Sequence, residues 1–308
     1  MSNVKIWFME TRPAFLLLVP ACFIVGISIA AYESTDYSPN ALHIGLAFLG
    51  ALLAHISVNV LNEYSDYKTG IDFNTPKTPF SGGSGILPAG LLNPQKVQLF
   101  GISCLLGVGA IGIYFVYEYT WRIIPLGLLG IMVIYFYTTH LTKDPLLCVI
   151  APGLGFGPLM VIGTNFAQTG EYTLAAGMAS MIPGFLVSNL LLLNQFPDVE
   201  ADRAGARRHL LITRGRQASA KVYAALIVAT YLWLIASVAF KILPVTALLG
   251  LLTLPIALTT MRGVLKNFDN IDNLIPFMGQ NVMIVLLTPL LVGVGILLGM
   301  ALPDNLAW

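Results

Sequence analysis

Charge is what this 308-residue chain has least of: 10% of its residues are Asp, Glu, Lys or Arg, against about a quarter in soluble globular proteins. With 56% hydrophobic residues and a mean hydropathy of +0.80, that scarcity excludes a soluble domain, a coiled coil and a disordered chain. Cysteine is scarce too. Cys22, Cys104 and Cys148 fall inside apolar runs with no redox or metal spacing, and read as small hydrophobes. The apolar runs are continuous, without period-two alternation, which argues against a transmembrane β-barrel. What the chain does have is stretches of about 20 apolar residues, the length that crosses a bilayer as a helix.

Nine such stretches predict an all-α integral membrane protein, a single polytopic domain over 1–308, with helices at 14–33, 41–61, 98–117, 121–140, 145–167, 173–194, 220–240, 243–262 and 276–302. Prolines within or near them are tolerated where neighbouring helices re-satisfy the freed backbone groups. Longer polar loops fall at about 62–97, 195–219 and 263–275. The first run follows Lys5, Glu10 and Arg12 and has no small-residue cleavage site after it, so it reads as a retained helix rather than a signal peptide. A cytoplasmic N-terminus puts 14 of the 16 Lys and Arg on the cytoplasmic side and leaves only Arg122 and Lys241 opposite, as the positive-inside rule requires. Ten of the 15 acids share that side, so both signs of charge gather on one face.

Two of those acidic segments echo each other. Asn62-Glu63-Tyr64-Ser65-Asp66 ends the second helix and Asn194-Gln195-Phe196-Pro197-Asp198 ends the sixth. Each sets an amide and a carboxylate one turn apart on one helix face. Asp202 extends the second face by another turn, while Asp72 follows Asp66 at a spacing of six, beyond Gly70, a helix-ending residue that swings it back from a loop. Four helices intervene, an even number, so both motifs open on the same side and can meet across a bundle. Carboxylates converging at the edge of a low-dielectric region repel unless cations sit between them. Oxygen-only ligands select hard divalent ions, and Mg²⁺ takes carboxylates together with substrate phosphate oxygens. Lys68, Arg203 and Arg207 lie beside the motifs and suit a leaving diphosphate. Between the first motif and the next helix, Ser81-Gly82-Gly83-Ser84 is a candidate anion-binding nest. His55, Asn189, Gln280 and Asn281 are further cavity candidates without an assigned role.

At these residues the chain resembles the UbiA superfamily of intramembrane prenyltransferases, and within it the branch of 1,4-dihydroxy-2-naphthoate polyprenyltransferases that make menaquinone precursors. The resemblance covers nearly the whole chain. It is carried by Arg12-Pro13, the Asn-x3-Asp-x5-Asp first motif, Ser81-Gly82-Gly83-Ser84-Gly85-Ile86-Leu87, Tyr137-Thr138, the run from Gly153 to Thr164, and Asp198-x3-Asp202-Arg203 followed by Arg207-Arg208. It implies a helical bundle around a central cavity with cytoplasmic cap loops, and Mg²⁺ bridging the two Asp motifs to a polyprenyl diphosphate. Asp66, Asp72, Asp198 and Asp202 would be metal ligands; Asn62, Asn194, Lys68, Arg203 and Arg207 would contact metal or diphosphate, and Tyr137 and Lys143 would lie near the substrate. Two departures stand out: the Tyr137 to Lys143 spacing is longer than the family's commoner one, and Arg-Ala-Gly-Ala-Arg-Arg-His-Leu replaces a Gly-Lys-Arg-Thr-Leu-like run after Asp202.

The expected activity is Mg²⁺-dependent transfer of a polyprenyl chain to a small aromatic acceptor at the cytoplasmic face of the cell membrane, with no nucleic-acid or obligatory protein partner. Dihydroxynaphthoate is the expected acceptor; 4-hydroxybenzoate, homogentisate, a phenazine or a glyceryl lipid are the alternatives. A secondary transporter would need charged residues at the midplane, and none of the nine runs has an Asp, Glu, Lys or Arg near its centre. A CDP-alcohol phosphotransferase would need a compact Asp-rich motif that is absent.

Overall fold

The computed structural model describes residues 2–34 and 38–301 and contains helices without strands among them. The elements are α1 (Asn3–Glu10), α2 (Pro13–Glu33), α3 (Ala41–Thr69), α4 (Ile71–Asn74), α5 (Pro94–Glu118), α6 (Trp121–Phe136), α7 (Pro145–Thr169), α8 (Leu174–Asn194), α9 (Val199–Ala204), α10 (Leu210–Ala239), α11 (Val245–Asn267) and α12 (Ile271–Gly299). Eight of these are long and apolar enough to cross a membrane, and α6 is a shorter apolar ninth. The protein is a multi-pass membrane protein.

Local chemistry sets the helix ends. Asn40, Asn93, Asp144, Thr173 and Asn270 each accept backbone N–H groups at the start of α3, α5, α7, α8 and α12, satisfying donors that the helix cannot. Gly70 closes α3 in the left-handed region at φ 79°, a conformation glycine adopts freely. The apolar runs understate several helices. α3 continues to Thr69 and α12 begins at Ile271, because hydropathy registers only the part of a helix that sits in lipid. α10 is broken at Gly215 (φ 81°, ψ 169°), which separates a short first turn from the long apolar helix that follows. Conversely α6 stops at Phe136 rather than 140. The expected end of the last helix at 302 lies outside the described residues.

Neighbouring helices close into a ring: α3 packs on α5 and α6, α5 on α6, α6 on α7, α7 on α8, α8 on α10, α10 on α11, α11 on α12, and α12 on α2, which returns to α3. α8 is the most buried span and α3 the least. On α5, Leu99, Leu106 and Ile113 recur every seven residues with 64–72% exposure, a stripe that faces lipid. Pro158 interrupts α7, which opens into a π-helical stretch over Gly155–Ile162, a distortion that accommodates the missing N–H. Gly153 and Gly157 let this segment approach α8 closely. A Cβ at either would strike the α8 backbone near Gly184 or Ser180.

Candidate active site

Between α3, α5, α6 and α7 runs a cavity of about 720 Å³. Its walls away from the loops are aliphatic side chains and glycines such as Gly109, Gly112, Gly127 and Gly130. At one end it is polar, lined by Asn62, Asp66, Asp72, Ser81, Tyr137, Asn194, Asp198, Asp202 and Arg207. The two acidic motifs, 132 residues apart from Asp66 to Asp198, therefore meet across one mouth. Phe80, from the loop between α4 and α5, also lines the cavity and lies beside Gly279 on α12, where an added Cβ would meet its ring at 3.2 Å.

The centre of the mouth is a cation between carboxylates. Arg207 Nη1 donates to Asp202 Oδ1 at 2.7 Å, and Nη2 donates to Asp66 Oδ1. Asp66 Oδ2 accepts from Asn62 Nδ2 at 2.8 Å, and Asn62 Oδ1 accepts from Thr138 at 3.1 Å. Asp202 Oδ2 lies 3.0 Å from His209 Nε2. Burial alone would raise the Asp202 carboxyl, but the His209 hydrogen bond and the Arg207 charge outweigh it and hold it below the usual range. The Arg207 guanidinium, which burial would make easier to deprotonate, is kept firmly charged by Asp66 and Asp202.

The other two carboxylates have no such partner. Asp72, on α4 beyond the Gly70 turn, is pushed up to about 8 by burial and then by the charges of Glu63 and Asp66. Asp198 is pushed up to about 7 by burial and then by Asp202, while a hydrogen bond from Ser81 works the other way. Asp72 Oδ2, Asp198 Oδ1 and Asn194 Oδ1 are buried oxygens without hydrogen-bond partners among the described residues. No group of three or more His, Cys, Asp or Glu is drawn together tightly enough to enclose a metal among those residues. The donor set nevertheless suits a hard divalent cation: it is all oxygen, and its orphaned oxygens point to a missing positive partner.

Four residues singled out from sequence do not line this mouth. Lys68 is exposed, two positions past Asp66 and so on another helix face, with its ammonium 6.0 Å from the Tyr64 ring. Arg203, one position past Asp202, is exposed beside Glu200. Lys143 is exposed at the end of a 3₁₀ turn. Ser84 serves a different carboxylate. Its N–H and hydroxyl both donate to Glu63, at 2.9 and 2.7 Å, so this part of the glycine loop binds a resident anion. Gly83 makes that approach possible, because a Cβ there would sit 2.8 Å from Asp72 Oδ1 and 3.3 Å from Glu63 Oε1.

Ser84 Oγ also lies 3.3 Å from Glu10 Oε2, and Arg12, in the left-handed region at φ 57°, approaches Glu63 at 3.7 Å. Glu10 is fully buried, and its carboxyl is pushed up from 4.5 to about 8 by burial and then by the Glu63 charge. A carboxyl whose pKa is higher folded than unfolded stabilises the fold at low pH, and the contribution is lost as pH rises from 4.5 to about 8. Glu10→Gln should therefore flatten the fall in melting temperature across that range, which thermal unfolding in detergent at a series of pH values would read. An unchanged slope would place the titration elsewhere. Neither Glu10 nor His209 was marked by motif spacing, since each finds its partner only through the fold.

Among curated proteins, the chain is 26% identical over 277 residues to the 1,4-dihydroxy-2-naphthoate octaprenyltransferase of Bacillus subtilis (strain 168), covering 86% of this chain and 84% of that protein. It is 26% identical over 307 residues to the enzyme of the same name from Escherichia coli (strain K12), covering 96% of each. Among solved structures, a UbiA homolog from Archaeoglobus fulgidus bound to DMAPP and Mg²⁺ has the same fold, with a TM-score of 0.67 at 15% identity over 94% of this chain and 98% of that one. A UbiA homolog from Aeropyrum pernix K1, in its apo form, gives 0.66 at 16% identity over 92% and 97%. The model of the UbiA prenyltransferase family matches residues 17–278, and the chain belongs to that family.

Proposed function

We propose that this prenyltransferase moves a polyprenyl chain from its diphosphate to 1,4-dihydroxy-2-naphthoate, in a Mg²⁺-dependent reaction at the cytoplasmic face of the cell membrane, with its N-terminus in the cytoplasm. The observation that carries the reading is the meeting of Asp66 and Asp202 around one guanidinium at the polar end of a long apolar cavity. That arrangement offers one end for an anionic headgroup and the rest for a hydrocarbon tail. The names of the Bacillus and Escherichia relatives support the naphthoate acceptor and a long-chain donor, and the Mg²⁺-bound Archaeoglobus homolog supports the metal.

Asp66, Asp72, Asp198 and Asp202, with Asn62 and Asn194, would hold Mg²⁺ against the diphosphate. When bound, the metal supplies charge neutralisation for the leaving group. Arg207 adds charge-assisted hydrogen bonds as negative charge accumulates on the departing oxygen. The allylic C1–O bond breaks, the bonding pair leaves with the diphosphate, and C1 becomes a delocalised cation that an aromatic ring face such as that of Tyr137 can stabilise. The electron-rich ring carbon that carries the acceptor's carboxylate bonds to C1, and the ring regains aromaticity as that carboxylate leaves as CO2 and its C–C bonding pair returns to the ring. The loop carrying Phe80 and Ser81 keeps water from the cation. The clustering of basic residues on the loops that carry the site supports its cytoplasmic orientation.

The test is an assay of the purified protein in lipid nanodiscs with labelled polyprenyl diphosphate, a panel of aromatic acceptors, and either Mg²⁺ or EDTA. Product should form with 1,4-dihydroxy-2-naphthoate only when Mg²⁺ is present. Turnover in EDTA, or transfer to 4-hydroxybenzoate alone, would overturn the metal or the acceptor assignment respectively.

A further inference from the structure

On α3, four polar residues that line the cavity recur at spacings of four, three and four: His55, Asn59, Asn62 and Asp66. This is one stripe on one helix face. Three are committed: Asp66 to Arg207 and Asn62, Asn62 also to Thr138, and Asn59, whose Nδ2 donates to Thr11 O at 3.1 Å. His55 is different. It is 5% exposed, its Nδ1 is buried without a hydrogen-bond partner among the described residues, and the ring contacts Phe156 edge-on with centroids 4.6 Å apart. Leaving a buried polar group unpaired is costly, so a histidine that merely filled the core would have a partner.

Its depth is informative. Seven residues separate His55 from Asn62 and eleven separate it from Asp66, roughly 10 and 16 Å along the helix axis. With C1 of the donor just below its diphosphate, at the level of Asn62, a ring carbon in contact with C1 at about 3–3.5 Å, the width of one aromatic ring and a hydrogen bond of about 2.8 Å together cover the nearer depth. Phe156, on the π-helical stretch of α7, lines the cavity at the same level. We propose that His55 determines acceptor specificity: it hydrogen-bonds the hydroxyl of the aromatic acceptor that points away from the diphosphate, while the acceptor ring packs beside Phe156. The proposal rests on the reading of the site given above and names the side chain that distinguishes a dihydroxylated acceptor from a monohydroxylated one.

The test uses the full-length protein in nanodiscs, as wild type, His55→Leu and His55→Gln. The ligands are 1,4-dihydroxy-2-naphthoate and the two analogues that each lack one hydroxyl, 1-hydroxy-2-naphthoate and 4-hydroxy-2-naphthoate. KM is measured for the diol, and inhibition constants against it for the analogues. Wild type should prefer the diol over one analogue by about 10²-fold, since a site built to bind a hydroxyl rejects the molecule lacking it. His55→Leu should abolish most of that preference by raising the KM for the diol, with the KM for the polyprenyl diphosphate unchanged. His55→Gln, which keeps a donor and an acceptor, should restore much of it.

The comparison is a double cycle in which intrinsic differences between the ligands cancel. Preference that survives in His55→Leu, or a donor KM that moves with the acceptor KM, overturns the role of His55. Should the leucine variant fail to fold, His55→Asn, too short to reach the hydroxyl, carries the same comparison. A wild type that transfers to no aromatic acceptor removes the functional reading itself, and with it this one; a wild type that transfers while the variants keep its preference removes only this one.

Discussion

Asp66→Asn and Asp198→Asn should each lower the rate of prenyl transfer by about 10³-fold, roughly 4 kcal/mol of transition-state stabilisation, while leaving the helical bundle folded. The reasons differ at the two positions. Asp66 holds Asn62 and one side of Arg207. An amide has one oxygen for two donors, so it can keep either Asn62 or Arg207 but not both, while Arg207 retains Asp202; the bundle keeps its fold and the charge that would bind metal is lost. Asp198 has a buried oxygen without a partner among the described residues, and burial pushes its carboxyl up to about 7. Its charge is therefore unfavourable to the fold above that pH, and the amide should hold or raise the melting temperature. Single-turnover kinetics with saturating Mg²⁺, together with thermal unfolding, separate these effects. Activity near wild type in either variant would remove that residue from the metal site. A collapse of melting temperature would make the aspartate structural.

Much of this site was legible in the sequence because its chemistry is written along helices. Asn62 with Asp66, and Asp198 with Asp202, are one turn apart on α3 and at the start of α9. Asn194 and Asp198 do not share a helix face as their spacing of four predicts, because α8 ends at Asn194 and Asp198 follows a turn as the N-cap of α9. The left-handed turn at Gly70 was legible because it is a local property of one residue. What the spacing could not show is which way a helix faces. Lys68 and Arg203 sit within two positions of motif carboxylates, yet a rotation of 100–200° takes them out to solvent. Arg207 turns inward because the chain bends after α9, with Ala206 in the left-handed region at φ 62°, a conformation that alanine rarely adopts. The buried Glu10–Ser84–Glu63 network joins three segments far apart in sequence, and no local pattern marks it. Helix ends past the bilayer were lost to hydropathy because α3 and α12 continue as helices beyond their apolar runs.

Arg207→Gln should move two quantities in opposite directions. Turnover should fall by about 10²–10³-fold, because the guanidinium is the cation best placed to stabilise the departing diphosphate. Mg²⁺ affinity should rise. In the structure the guanidinium occupies the space between Asp66 and Asp202, so a divalent ion approaching those carboxylates competes with it, and glutamine removes the competitor. The same change leaves two buried carboxylates facing each other, Asp202 still held by His209 and Asp66 by the Asn62 amide, with no cation between them. Breaking such a buried pair costs about 3–5 kcal/mol, so the variant's melting temperature in EDTA should drop and recover on adding Mg²⁺ by more than that of the wild type. Arg207→Lys keeps one charge but cannot reach both carboxylates in a fork, and should fall between the two. Titration of Mn²⁺ by its paramagnetic signal, alongside melting curves with and without Mg²⁺, reads both quantities without relying on turnover. A fall in metal affinity together with turnover would show that Arg207 assembles the carboxylates rather than competing for them, and would place it among the supports of the metal site.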